Sequence, residues 1–198
     1  MRSLILPACL VAAAIGAWNL WSERAQSQPP GILVADAPRQ KNLVKPVELA
    51  RGDYRLVAKA EFDITARVIL RMRYRFDDMA AVSPVDFALG WGAMSDTAVL
   101  EKMSCSQGSR YYACSWQSAE VIEPGRFTVS SANMHLIPQS PAVEDALLRV
   151  RKGQVVTLRG LLVDVLAPDG RRWSTSMTRE DSGPGGCEII LVTEVSAS

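Results

Sequence analysis

The chain has 198 residues, 48% of them hydrophobic and 22% charged, enough for one folded domain with an appendage, which excludes wholesale disorder. Its 22 basic and 21 acidic residues sum to +1, which excludes the broad positive footprint of a dedicated nucleic-acid binder. Taken in chain order, the first feature is Leu4–Trp21, an uncharged apolar run long enough to cross a bilayer core, preceded by Arg2. Trp18 and Trp21 stand where an interfacial aromatic belt would lie. Residues 1–22 read as a retained transmembrane anchor, with a cytoplasmic N-terminus and an exported body. The alternative is a signal peptide cleaved near "AQS", Ala25–Ser27, leaving the body soluble in the periplasm. The expected location is the inner membrane of a bacterium with two membranes, with the C-terminal domain in the periplasm.

Residues 23–50 hold Pro29, Pro30, Pro38 and Pro46 with no steady period, and predict an extended spacer before a domain over 51–198. From Tyr54 to Phe76 every even position is apolar, while most odd positions are polar. This alternation predicts strand, but one strand of that length would span about 75 Å, so a break near Asp63–Thr65 is expected. The polar face ends in Arg71, Arg73 and Arg75, with Glu61 and Asp63 interrupting the row. It reads first as a solvated sheet face and second as a surface for an anionic ligand or lipid head groups.

Further on, Ser83–Pro84 suggests a helix start, "LGWG" a turn carrying Trp91, and Ser95 or Asp96 the cap of a short helix over Thr97–Met103. In "CSQGSRYYAC" a turn over Gly108–Tyr111 sets Cys105 opposite Cys114 within disulfide range, and export would oxidise the pair. Cys187 is then left over, although it could instead pair with either of the others. "GRFTVSSANMHLIP" predicts a strand stopped by Pro138, and "PAVEDALLRV" a second short helix. "GQVVTLRGLLVDVLAPDGRRWSTSMTR" predicts a strand with a bulge at Gly160, a Pro-Asp-Gly turn and a returning strand, and "CEIILVTEV" a terminal strand. The fold class is mainly β, a β-rich α+β domain. A small, partly closed barrel with two short helices is expected, OB-like within that class.

No phosphate loop, dinucleotide fingerprint, HExxH or GxSxG is present, and no cofactor is implied. Cys187, His135 and Asn133 supply the residue types of a thiol hydrolase, namely nucleophile, base and orienting amide. Against this stand a structural histidine and a buried cysteine acting as a small hydrophobe. A zinc site from Cys105, Cys114, Cys187 and His135 has the ligand count but the wrong spacing, so no metal is expected. Asp86, Asp96, Glu101, Asp181 and Glu188 could furnish a carboxylate pair, and "TREDSGPGG" is the best place for a polar pocket.

Four stretches, "FDITARV" at 62–68, "SPVDFALGWGAMSD" at 83–96, "SANMHLIP" at 131–138 and "TREDSGPGGCEII" at 178–190, together resemble a family of uncharacterised bacterial exported or membrane-anchored proteins. The resemblance implies a location and an architecture, and no reaction. It places Trp91, Asp96, Asn133, His135, Arg179, Cys187 and Glu188 in characteristic motifs; of these, Trp91, Asp96, Arg179 and Glu188 are candidate binding residues beside Arg71, Arg73 and Arg75, and Asn133, His135 and Cys187 are the catalytic candidates. The expected function is a tethered, non-enzymatic module that binds a partner protein or an envelope ligand, confined near the membrane. The alternatives are a periplasmic thiol hydrolase using Cys187 and His135, and an OB-like binder of polyanion or polysaccharide. Nucleic acid is not expected, because Tyr74 and Phe76 alternate with the arginines toward the core instead of offering stacking faces.

Overall fold

The structure is a computed structural model that describes residues 24–181, 183 and 185–198. The run read as an anchor lies outside the described residues, among which no helix is long and apolar enough to cross a membrane. The fold is mainly β. In chain order the elements are β1 (Arg39–Arg51), β2 (Tyr54–Arg73), β3 (Val85–Gly90), a 3-10 turn over Gly92–Ser95, α1 (Thr97–Leu100), β4 (Met103–Gly108) and β5 (Tyr111–Trp116). There follow α2 (Pro124–Thr128), β6 (Ser131–Pro138), α3 (Pro141–Arg149), β7 (Val155–Leu166), β8 (Arg172–Trp173) and β9 (Glu188–Ala197).

The alternating stretch forms one strand, not two. β2 pairs with β1 up to Asp63 and with β3 from Arg67, so the expected break is instead a change of partner over residues 64–66. Two register shifts, between Ala58 and Ala60 and between Val68 and Leu70, absorb the length. Such a bulge turns the following side chains to the other face. Leu56 and Ala58 accordingly join a core with Ile137, Val163, Ile189 and Leu191, while Phe62, Ile64 and Val68 join another with Phe87, Met134, Leu158 and Ile190. Beyond Arg73 the pattern no longer describes the chain, and Phe76, expected inside, is 97% exposed.

Strands β2, β3, β6, β9 and β7 pair in sequence, and β7 pairs back onto β2, so the pairings close into a ring. All are antiparallel except β6 with β9. Gly160 sits at a register shift, as expected; a Cβ there would lie 2.0 Å from the Leu191 carbonyl oxygen. α3 opens on Ser140, whose Oγ accepts from Val143 N, and Leu147 anchors it to the ring core. Cys105 and Cys114 face each other across β4 and β5 and are disulfide-bonded.

Several expectations are corrected. The spacer region forms β1, and Val34 is buried, its N–H and that of Leu33 donating to Ser95 Oγ at 3.1 Å. Pro46 falls in a register shift of this edge strand, where a missing N–H does least harm. Ser83–Pro84 leads not into a helix but into β3, which is buried along its whole length and so lacks alternation. The "GRFT" segment, read as strand, is helical as α2, with Pro124 in its first turn. The strand returning after the Pro-Asp-Gly turn has only two residues.

Candidate functional site

A cavity of about 140 Å³ opens at the end of the ring where the parallel strands β6 and β9 begin. It is lined by Ala132 and Glu188, by the aromatic side chains of Tyr111, Tyr112 and Phe127, and by Arg179 and Asp181 from the segment before β9. Glu188 pairs with Met134 and shares the parity of Ile190 and Val192, so it projects toward the ring core and is 1% exposed. Arg179 Nε lies 2.6 Å from Glu188 Oε1, and the guanidinium carbon is 5.2 Å from the centre of the Phe62 ring. Among the described residues, Glu188 Oε2 and Arg179 Nη2 are buried without a hydrogen-bond partner. Burial pushes the Glu188 carboxyl up to about 7, against the opposing pull of Arg179.

Cys187 lines the same cavity. Burial pushes its thiol up to about 11, so it stays protonated near neutral pH. Its polar neighbour is Asn133, whose Nδ2 is 3.9 Å from Sγ and also donates to Arg110 O at 3.0 Å. Gln107 Nε2 in turn donates to Asn133 Oδ1 at 2.7 Å. Through Asn133 the cavity adjoins a buried ionic cluster around Asp86, which is 0% exposed.

Arg110 holds that cluster together. The hairpin turn places Ser109 and Arg110 at φ +48° and +67°, the pair of left-handed residues that a tight two-residue hairpin requires. Arg110 Nη1 donates to Asp86 Oδ1 at 2.8 Å, and its Nε and Nη2 donate to Asp77 at 2.9 and 2.7 Å. The guanidinium lies 3.7 Å over the Tyr74 ring. His135, the register partner of Asp86, places Nδ1 2.9 Å from Asp86 Oδ2, a close polar contact without hydrogen-bond alignment. Its ring packs 4.3 Å from that of Trp173.

The structure thus gathers Asn133, Cys187, Glu188 and Arg179 at one cavity, with His135 in the adjoining cluster. It does not pair His135 with Cys187: the imidazole is taken up by Asp86 and Trp173, and the thiol is neutral and faces Asn133. The other candidates stand elsewhere. Trp91 is 2% exposed and donates from Nε1 to Val129 O, while Asp96 caps α1 and also accepts from Gly31 N. Nor do the arginines form a uniformly exposed row. Arg67 is buried against Ser95 O and Thr97 Oγ1, and Arg71 donates to Val150 O, whereas Arg73 and Arg75 are exposed. The rest of the polar face carries cross-strand ion pairs, including Lys41–Glu61, Lys59–Asp164 and Arg159–Glu194. Among the described residues no group of three or more His, Cys, Asp or Glu could hold a metal ion.

Sequence reasoning missed Arg110, Gln107, Asp77 and Trp173. The signal open to it was Asp86, an acid inside the apolar run "VDFALG", which demands a buried cation. No protein-family model, no curated protein and no solved structure matches the chain. Chemically, the cavity is close in volume to one of about 150 Å³ that takes benzene, so it suits a small planar group. Its lining combines the aromatic side chains of Tyr111, Tyr112 and Phe127 with the charged groups of Arg179, Asp181 and Glu188, and its thiol, Cys187, is not activated.

Proposed function

We propose that this chain is a membrane-tethered, non-enzymatic binding module of the bacterial envelope, whose ligand enters the cavity at the mouth of a small OB-like barrel. The barrel reading is supported by the closed ring, whose members pair in the chain order first, second, third, fifth, fourth, with α3 between the third and fourth. The tether is supported by the uncharged run at Leu4–Trp21. The observation that carries the binding reading is the cavity itself, whose lining sets Arg179, Asp181 and Glu188 beside the aromatic side chains of Tyr111, Tyr112 and Phe127.

The competing readings lack such support. A thiol hydrolase needs a lowered thiol pKa and a base, and Cys187 has a raised one and an amide neighbour. A nucleic-acid module of OB type would use the outer face of its second and third strands, here β3 and β6. That face holds Asp86 and His135 under Arg110 and Trp173.

Photo-crosslinking in cells tests the proposal. A crosslinker in place of Tyr111, on the cavity rim and 53% exposed, is expected to capture a partner or an envelope polymer. A crosslinker at Val44, 99% exposed on the edge strand β1, is the control. Equal adducts at both positions, or none at Tyr111, would overturn the reading.

A further inference from the structure

The stretch between the apolar run and β1 is bound to the domain along most of its length. Gln26 N donates to Lys152 O at 2.7 Å, and Gln28 Nε2 donates to Gly153 O at 3.1 Å. Thr97 Oγ1 donates to Gln28 O at 3.0 Å, Gly31 N to Asp96 Oδ1 at 2.8 Å, and Gly92 N to Val34 O at 2.7 Å. The Lys152–Gly153 turn is shaped for this contact: Gly153 has φ +88°, and a Cβ there would lie 1.9 Å from Gln26 O. Residues 26–34 are therefore laid down on the domain, and only Ser22 to Ala25 separate them from Trp21, the end of the apolar run.

A fully extended chain spans at most about 3.6 Å per residue, so an anchor ending at Trp21 holds Gln26 within about 18 Å of the hydrocarbon edge. The far end of β7, which runs from Val155 to Leu166 and on into the Asp169 turn, lies about 40 Å of strand away. The exposed side chains at the near end are polar and of both signs: Arg149 and Lys152, with Asp145 one turn earlier on α3 and Glu101 lining the same groove as Gln26. Such a face suits the phosphate and amine groups of a headgroup layer and is too costly to bury among acyl chains. We propose that residues 26–34 act as a strap and not as a free tether, seating the domain with its Arg151–Gly153 turn against the headgroups of the bilayer that the apolar run crosses. This inference rests on the proposed membrane anchor, and it specifies which end of the domain meets the membrane.

The test puts a fluorescent amino acid in place of Lys152 or of Asp169, both exposed, in the full-length chain. Each protein is reconstituted in vesicles of phosphatidylethanolamine and phosphatidylglycerol that carry a nitroxide on part of their headgroups. Quenching is expected to be about threefold or more stronger at position 152 than at 169, given the length of strand between them. A free spacer over residues 23–38 would quench the two positions nearly equally. Insertion of about 20 Gly and Ser residues between Arg24 and Ala25, ahead of the strap, adds about 25 Å of flexible reach and is expected to bring the ratio close to one. Equal quenching in the parent, or a contrast that survives the insertion, would overturn the strap. If the chain is washed from the vesicles by alkaline carbonate, the anchor reading falls and the strap falls with it. If the chain stays with the vesicles and shows no contrast, only the strap falls.

Discussion

Glu188 buries its carboxyl beside Arg179 and still holds its proton up to about 7, against an ordinary 4.5, because desolvation outweighs the attraction of the cation. The unfolded chain releases that proton near its ordinary value, so between the two values the folded state binds more protons. Stability therefore falls as pH rises from about 4.5 through about 7, and levels off above. Thermal melts across this range are expected to show a fall in the parent that is absent in Glu188→Gln, a difference on the order of 3 kcal/mol. A parallel fall in both proteins would place the titration elsewhere. Arg110 carries a different load, since Asp86 is fully buried and draws its charge compensation from that guanidinium. Arg110→Ala is expected to cost about 3–5 kcal/mol in urea unfolding. Arg110→Lys should recover little of this, because an ammonium cannot bridge Asp77 and Asp86 with a planar fork. Neither role could be read from composition. Glu188 was legible as a motif residue, but its burial follows from pairing with Met134 on a parallel strand, a neighbour that only the topology supplies.

At the scale of elements, β2 was legible from its period and its partners were not. Alternation reports that one face is buried, not which strand buries it, so the exchange from β1 to β3 near Thr65 looked like a break. β1 was hidden for a related reason. It is an edge strand with little of its surface buried, and Pro46 with Lys41 and Lys45 gives it the composition of a linker. α2 was misread because Phe127 and Val129 favour strand locally, while the helix signal was the proline that opens it. Gly160 was read correctly, because a glycine inside an apolar strand has few other reasons to be there. Its substitution checks the close approach of β7 to β9. Gly160→Ala brings a Cβ against the Leu191 carbonyl and is expected to destabilise by about 1–3 kcal/mol or more. Gly108→Ala, with nothing within 4 Å, should change stability by less than about 0.5 kcal/mol. Equal effects by chemical denaturation would contradict the register.

Across the whole molecule, two cores share the strands β6 and β9, one inside the ring and one beneath the first half of β2 and the last half of β7. This layering covers Ile137 and Ile189 on the outer face, and the Arg110 hairpin and Trp173 cover His135, while the cavity opens at the ring's end. The near-zero net charge has its counterpart in cross-strand ion pairs, each worth little in water but together using up the polar face that the arginines seemed to offer. What the sequence carried was therefore the class of fold and a set of motif residues; what it lacked was their adjacency. The central claim is that the cavity binds and does not catalyse, and the rate of Cys187 alkylation against pH tests it most directly. The account predicts a thiol that is slow near neutral pH, with a rate that climbs only toward about 11, and slower still when the cavity is occupied. A rate already at its plateau near neutral pH would reveal an activated thiolate and contradict the account.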